Sequence, residues 1–344
     1  MRRIYDCIFV ISAMFFIGFF PRYSYSISYI YDVMVENNLY YYGYSKDLTP
    51  QQIQNSWARE HYYIRDMNTG SQKRMFDDQT EKIIGSCFHK GLSPDKKTII
   101  IGTNRYRDDH LTENCLYLYN IESGKIEILV DQKRMITYPE FSPDSQCIAY
   151  YSSDPMIMIW QNDTNVRHKG CNLSMVNVKT KEIQELAPES YQMFQNTPPS
   201  WSPDGSHILL LARYDEDKKT ELFKLDIKTK KRTKIIPGDG TFYFKSMAWM
   251  ADERILFSSR GSVSVPQTGI YQMDPEGGNV KFLFPTPIIV DPILGDLDKK
   301  KFIFHTPDKV GDKNRIRVID LNGNDITENM KSSGRLVKDT YWRY

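Results

Sequence analysis

The 344-residue sequence lacks the compact patterns by which most chemistry is recognised. No glycine-rich phosphate loop is present, which removes the usual cradle for a nucleotide. Neither an HxH nor an HExxH pair occurs, so no recognised metal-ligand spacing exists among the six histidines. An EF-hand loop and a paired cysteine–histidine catalytic motif are likewise missing. The five cysteines include no CxxC pair, which argues against a zinc knuckle or a redox dithiol. Charge of one sign is lacking too: 45 basic residues oppose 43 acidic ones, for a net +2 at pH 7. Loss of Arg2, Arg3, Arg22 and Asp6 with an N-terminal leader would leave the chain neutral. A neutral chain presents no global field for nucleic acid or an anionic membrane, which excludes both as primary partners.

What is present is a large apolar fraction, 40%, with 23 tyrosines and 17 phenylalanines, a mix that favours strands and fills a core. At the N-terminus, Arg2 and Arg3 precede an almost unbroken apolar run from Cys7 to Phe20, and Ser24 and Ser26 supply small residues for cleavage. The run is short of the ~20 residues that a spanning helix needs. Residues 1–26 therefore read as a cleaved secretory signal, the rival being a retained anchor. Cys7 stands at the front of the run, not after it, which speaks against a lipid-modified cysteine. Export would place Cys87, Cys115, Cys147 and Cys171 where disulfides form. Cys115 and Cys171 fall at similar places in successive repeats. A bridge between them and buried free thiols are both compatible with the sequence.

Internal repetition organises the rest. Leu92-Ser93-Pro94-Asp95 recurs as Phe141-Ser142-Pro143-Asp144 and as Trp201-Ser202-Pro203-Asp204-Gly205, with degraded copies at Trp249-Met250-Ala251-Asp252 and Gly295-Asp296-Leu297-Asp298. The anchors are 46 to 60 residues apart, and one further step reaches Trp342. Each Ser-Pro-Asp element predicts a turn, because proline presets φ and aspartate bonds back to the local backbone. A β-rich run follows, such as Ile148-Ala149-Tyr150-Tyr151 or Ile208-Leu209-Leu210-Leu211. An alternating strand comes next, such as Leu116 to Asn120 or Leu222 to Asp226, and then a short fourth strand, such as Lys125 to Leu129. Four short strands per unit make the blade of a propeller, and no unit carries the sustained 3.6-residue apolar period of a parallel α/β fold.

The N-terminal region supplies a sixth unit. Leu39 to Tyr44, His61 to Asp66 and Gln72 to Phe76 match its second, third and fourth strands, with no Ser-Pro-Asp anchor ahead of them. The favoured inner strand is Asp339 to Tyr344, which would pair the two termini and close the ring without an exposed edge. The competing inner strand is Tyr31 to Val35. The expected fold is all-β: a six-bladed β-propeller closed by N- and C-terminal strands.

The anchor, the Ser-Pro-Asp-Gly turn, the strand and the small residue with arginine at its end resemble the TolB-like propeller repeat. Trp201 to Arg213 matches it closely, and Asn104-Arg105 and Ser259-Arg260 place arginines at the corresponding strand ends. The resemblance implies a signal over 1–26, a TolB-like propeller domain over 27–344, and an exported, periplasmic or extracellular protein. TolB carries an α/β domain ahead of its propeller; the short stretch between residue 26 and the first strand leads us to expect none here. Prolyl oligopeptidase-like enzymes also contain such propellers, but their GxSxG elbow does not occur in these residues.

Within such a ring the inter-blade linkers and the loops between second and third strands share one face, and the Ser-Pro-Asp turns occupy the other. Binding residues are expected on the linker face, and the Ser-Pro-Asp residues read as structural. The most distinctive loop runs from Asp154 to Gly170. Its Met156, Met158, Trp160, Arg167 and His168 suit a partner-binding surface, the alternative being a hydrophobic lid or a strand extension. His61, His89, His110, His168 and His305 would all lie toward this face. That placement resembles oligogalacturonate lyases, where histidines hold a divalent metal, although those have seven blades. The expected function is a non-catalytic, monomeric binding protein of the cell envelope that recognises a protein or peptide, with no cofactor and no integral membrane span after cleavage. The alternative is a metal-assisted polysaccharide lyase or hydrolase. Asn162 and Asn172 each open a glycosylation sequon.

Overall fold

The computed structural model of the chain describes residues 33–332, apart from 36–37, 44–60, 67, 107–111, 133, 154–170, 191, 194–197, 214–220, 289, 291–293, 296–298 and 308–313. The described strands form six antiparallel sheets, each a local meander. The first holds Val33–Val35, Asn38–Gly43, His61–Asp66 and Gln72–Arg74. The second runs from Ser86–Leu92 through Thr98–Tyr106 and Thr112–Asn120 to Ile126–Asp131, and the third from Met135–Phe141 through Cys147–Ser153 and Cys171–Asn177 to Ile183–Ser190. The fourth is centred on His207–Arg213 and Glu221–Asp226, the fifth on Ile255–Ser259 and Gly269–Met273, and the sixth on Lys301–Pro307 and Asn314–Asp320.

The Ser-Pro-Asp turns explain why the same local structure recurs. In the fourth sheet the Ser202 hydroxyl donates to Asp204 at 2.6 Å and accepts from the His207 amide at 2.9 Å. The Asp204 carboxylate in turn accepts the Ser206 amide at 3.0 Å. Ser142 and Asp144 repeat this arrangement in the third sheet, as do Ser93 and Asp95 in the second. All three serines are buried. Each hydroxyl thus satisfies the first amide of the following strand, which would otherwise be left unpaired. The next residue takes a positive φ, 72° at Gly205, where glycine meets no Cβ penalty. The structural reading of these residues therefore holds.

The core is a series of layers between consecutive sheets. Tyr40, Tyr62 and Phe76 of the first unit pack on Ile99, Ile101 and Tyr117 of the second. Ile100 and Leu116 meet Ile148 and Val176; Tyr151 and Leu173 meet Ile208 and Leu210; Leu209 and Leu222 meet Phe257 and Tyr271; Leu256 and Ile270 meet Phe302 and Ile319. Both faces of each middle sheet are covered, which accounts for strands such as His207–Arg213 that read as continuous apolar runs.

Three expectations are corrected or refined. The place beside Asn38–Gly43 assigned to the C-terminal segment is filled by Val33–Val35, in the register Val33 opposite Tyr40. A strand with both edges paired has no room for another, and residues 339–344 lie outside the described region. Cys115 is a buried thiol whose Sγ donates to the Asp131 carboxylate at 3.3 Å, so the bridge to Cys171 is not formed. Two short helices interrupt the strands: α1 (Asp78–Ile84), capped by Asp77 accepting the Thr80 amide at 2.7 Å and ended by Gly85, and α2 (Thr327–Ser332). No described helix is long and apolar enough to cross a membrane. The leader over 1–26 falls outside the described residues.

Candidate functional site

The residues flanking the Asp154–Gly170 loop form the most developed polar site among the described residues. The loop itself, with Met156, Met158, Trp160, Arg167 and His168, is not described. It leaves the third sheet at Ser153 and returns at Cys171, directly opposite each other in register. Below these ends a cleft of about 450 Å³ opens between the second and third sheets, lined by Gln132, Arg134, Ser152, Asn172, Ser174, Ile183 and Glu185. Gln132 and Arg134 belong to the linker joining the two sheets, so the cleft sits on the linker side.

Strand register explains the cleft. Three side-chain pairs of the third sheet face the second: Ile148 with Val176, Tyr150 with Ser174, and Ser152 with Asn172. The first pair belongs to the apolar layer, and the other two make the seam polar. In the sister sheets the middle position carries a ring: Tyr117 opposite Ile101, Phe223 opposite Leu210, Tyr271 opposite Phe257. In the third sheet the ring is on the other strand, Tyr150, and the small Ser174 opposite it lines the cleft.

Of the polar residues lining the cleft, Ser152 (3% exposed), Asn172 (5%) and Ser174 (6%) are buried, Gln132 and Arg134 are half-buried and Glu185 is exposed; Tyr150, opposite Ser174, is 0% exposed. The Asn172 amide nitrogen donates to Glu185 Oε2 at 2.8 Å, while its Oδ1 is buried with no hydrogen-bond partner. Because an ionised carboxylate only accepts, it is the nitrogen of the Asn172 amide that faces Glu185. The Tyr150 hydroxyl is also buried and makes no hydrogen bond of standard distance and angle, although the Ser174 hydroxyl across the strand pair is close enough to lower its pKa. Burial pushes Tyr150 up to about 12, with Ser174 and the Arg134 charge pulling it partly back, so it is a neutral phenol at any physiological pH. Asn172 is thus no glycosylation acceptor in this fold.

A second cluster joins His61, Asp78 and Glu81, whose ligand-capable atoms lie within 4.8 Å of one another. His61 Nδ1 is 2.6 Å from Glu81 Oε2, but the Arg74 guanidinium bridges Asp78 and Glu81 at 2.6 Å each. Arg74 already occupies the position a cation would take, and the cluster ties α1 to the first sheet. Of the five histidines expected on the linker face, only His61 has a described side chain. His110 and His168 are outside the described residues, and the side chains of His89 and His305 are not described.

A third group lies near the opposite face. Glu140, on the innermost strand of the third sheet, is half-buried, and burial raises its carboxyl to about 7, with Lys299 acting against the rise. Lys299, its own pKa lowered by burial, extends from the sixth sheet to donate to the Trp201 carbonyl of the fourth at 2.5 Å. Trp201 Nε1 donates to the Glu140 carbonyl at 3.1 Å. Contact between non-neighbouring sheets is what convergence of blades on a common axis produces.

No protein-family model matches the sequence, and no curated protein matches it. Solved structures match the fold. TolB from Acinetobacter baumannii aligns at a TM-score of 0.54 with 16% identity, over 78% of this chain and 58% of that one. An oligogalacturonate lyase in complex with manganese aligns at 0.58 with 16% identity, over 84% and 73%. A prolyl endopeptidase aligns at 0.57 with 14% identity, over 86% and 41%. The chain spans little more than half the length of that TolB. It has the TolB-like β-propeller fold, and proteins of such different activities on one fold leave function to be argued from the site.

Proposed function

We propose that this chain is an exported binding module of the cell envelope, a monomeric six-bladed propeller that recognises a protein or peptide on its linker face. In this reading residues 1–26 are its cleaved signal. The cleft between the second and third sheets carries the reading. It holds the buried, unpartnered Asn172 Oδ1 at the root of the Asp154–Gly170 loop, on a face where propeller loops are free to vary. Met156, Met158 and Trp160 provide apolar contact area, and Arg167 and His168 provide polar contacts around it.

The likeness to a manganese-bound oligogalacturonate lyase motivates the alternative of metal-assisted saccharide cleavage. His61, the one linker-side histidine with a described side chain, is engaged with Glu81 in a cluster that Arg74 neutralises. That favours binding over metal chemistry. The test compares crosslinked capture from source cells by the full chain, by a chain lacking 154–170, and by Met158→Ser/Trp160→Ser. An envelope protein captured by the first and lost from both others, with melting temperatures unchanged, is expected. Capture that survives loop removal, or stoichiometric manganese in the purified protein, would overturn the reading.

A further inference from the structure

We propose that the groove between the third and fourth sheets, on the Ser-Pro-Asp face, docks an arginine side chain of a partner polypeptide, with its guanidinium between Asp144 and Asp204. This site lies opposite the linker face and is independent of the binding reading there. The groove has a volume of about 440 Å³. Pro143 and Pro203 of two consecutive turns, with Met175, Trp201 and Ile227, make it largely apolar. Asp144 and Asp204 add two exposed carboxylates, and no basic residue lines it. A Cβ on Gly205 would stand 3.7 Å from Pro143 Cδ, so the two turns abut.

Comparison with the other repeats shows what is missing here. At the preceding seam the Ser145 hydroxyl accepts the Asp95 amide at 3.2 Å and ties one turn to the next. Gly205 holds the place of Ser145 in the fourth turn and offers Asp144 no such acceptor. The residue two places after the turn aspartate is basic in three repeats, Lys97, Arg254 and Lys300. It is neutral in the two that flank the groove, Gln146 and Ser206. Arg254 shows what such a carboxylate accepts: its Nε lies 2.7 Å and its Nη2 2.5 Å from Asp252 Oδ2. The fifth repeat thus supplies its own arginine, and two neighbouring turns at the groove supply none.

The turns keep their internal bonds when a cation docks. Asp144 Oδ1 accepts the Ser142 hydroxyl and the Gln146 amide, and Asp204 Oδ1 likewise serves Ser202 and Ser206. Among the described residues Asp144 Oδ2 has no donor, and Asp204 Oδ2 has only the Ser206 hydroxyl at 2.7 Å. The bonds within its turn hold Asp204 down to about 2, so it is ionised at physiological pH. Two carboxylates beside apolar walls call for a cation carried on an apolar stem. Arginine supplies methylenes for the walls and a flat fork of N–H donors that reaches two carboxylates at once. A lysine ammonium is a single point of charge, and a calcium ion gains nothing from Met175, Trp201 and Ile227.

The experiment titrates the full chain with N-acetyl-arginine methylamide, its neutral citrulline isostere and N-acetyl-lysine methylamide, by ligand-observed NMR, with calcium chloride as competitor. Binding of the arginine probe, with the citrulline isostere at least about fivefold weaker at low salt, is expected. That difference should vanish at about 0.5 M salt. Gly205→Ser copies the residue of the preceding seam, where Ser145 already adopts a φ of 62°. Gln146→Arg copies the fifth repeat. Each should weaken the arginine probe about fivefold, with melting temperature checked in parallel. Equal binding of the arginine and citrulline probes, tighter binding of the lysine probe, displacement by an equal concentration of calcium, absence of binding, or full binding by either folded variant would overturn the proposal. Sedimentation should show a monomer; a dimer that Gly205→Ser dissociates would overturn the assignment to a partner polypeptide, because the arginine would then come from a second copy.

Discussion

Replacing Tyr150 with phenylalanine should make the protein more stable. The ring of Tyr150 is fully buried in the layer with Ile100, Leu116 and Val176, so phenylalanine keeps every apolar contact. Only the hydroxyl is lost, and that hydroxyl is desolvated without a hydrogen bond of standard distance and angle. Leaving such a group unsatisfied costs about 1–3 kcal/mol, and its removal by an isosteric apolar group returns part of that. A gain of about 1 kcal/mol corresponds to a rise of roughly 2–4 °C in melting temperature for a domain of a few hundred residues. Urea unfolding at neutral pH should show a higher midpoint with an unchanged slope, since the surface exposed on unfolding is the same. A variant less stable than wild type by about 1 kcal/mol would refute the reasoning, because that is the signature of a hydroxyl already bonded in the unliganded protein.

Further outcomes follow from the same structure. Ser202→Ala removes both the acceptor of the His207 amide and the donor to Asp204, and should cost about 1–3 kcal/mol in denaturant unfolding. Asp204 is held down to about 2, chiefly by the Ser202 hydroxyl and by Ser206. A depressed carboxyl stabilises above its unfolded pKa near 4, and that contribution fades as pH falls from about 4 toward 2; in Ser202→Ala the fading should shrink. Glu140 has the opposite sign. Its folded pKa is about 7, so the folded state binds the proton more tightly and stability declines as pH rises from about 4.5 to 7. Glu140→Gln should flatten that decline, which at about 1.4 kcal/mol per pH unit amounts to at most about 3 kcal/mol; an unchanged slope in melting temperature against pH would contradict the assignment.

The turns and strand order were legible because their causes are local. Ser202, Asp204 and His207 make their bonds within five residues, and Leu222, packed toward the fifth sheet, with Phe223 and Leu225, packed toward the third, record burial on two faces. The first inner strand was not decided in the same way. Both Val33–Val35 and the C-terminal segment satisfy strand propensity, and pairing with Asn38–Gly43 is settled by proximity along the chain. Helix α1 carried readable signals in the Asp77 cap and Gly85, but seven residues are too few to establish a helical period.

Of the site, the sequence singled out the Asp154–Gly170 loop, and it offered no sign of the cleft beneath. Ser174 looks unremarkable until strand register sets it opposite Tyr150 and beside the rings of its sister sheets. Asn172, Glu185 and Arg134 come from two strands and a linker, and no spacing rule joins them. Lys299 meets Trp201 across 98 residues for the same reason. By itself the sequence determined the repeat, its turn chemistry and the all-β class, since these arise from hydrogen bonds and side-chain alternation between near neighbours. Which side chains share a seam, and which polar groups are buried without partners, only the tertiary structure decided. Those properties belong to the space between sheets, and that space exists only once the sheets have packed.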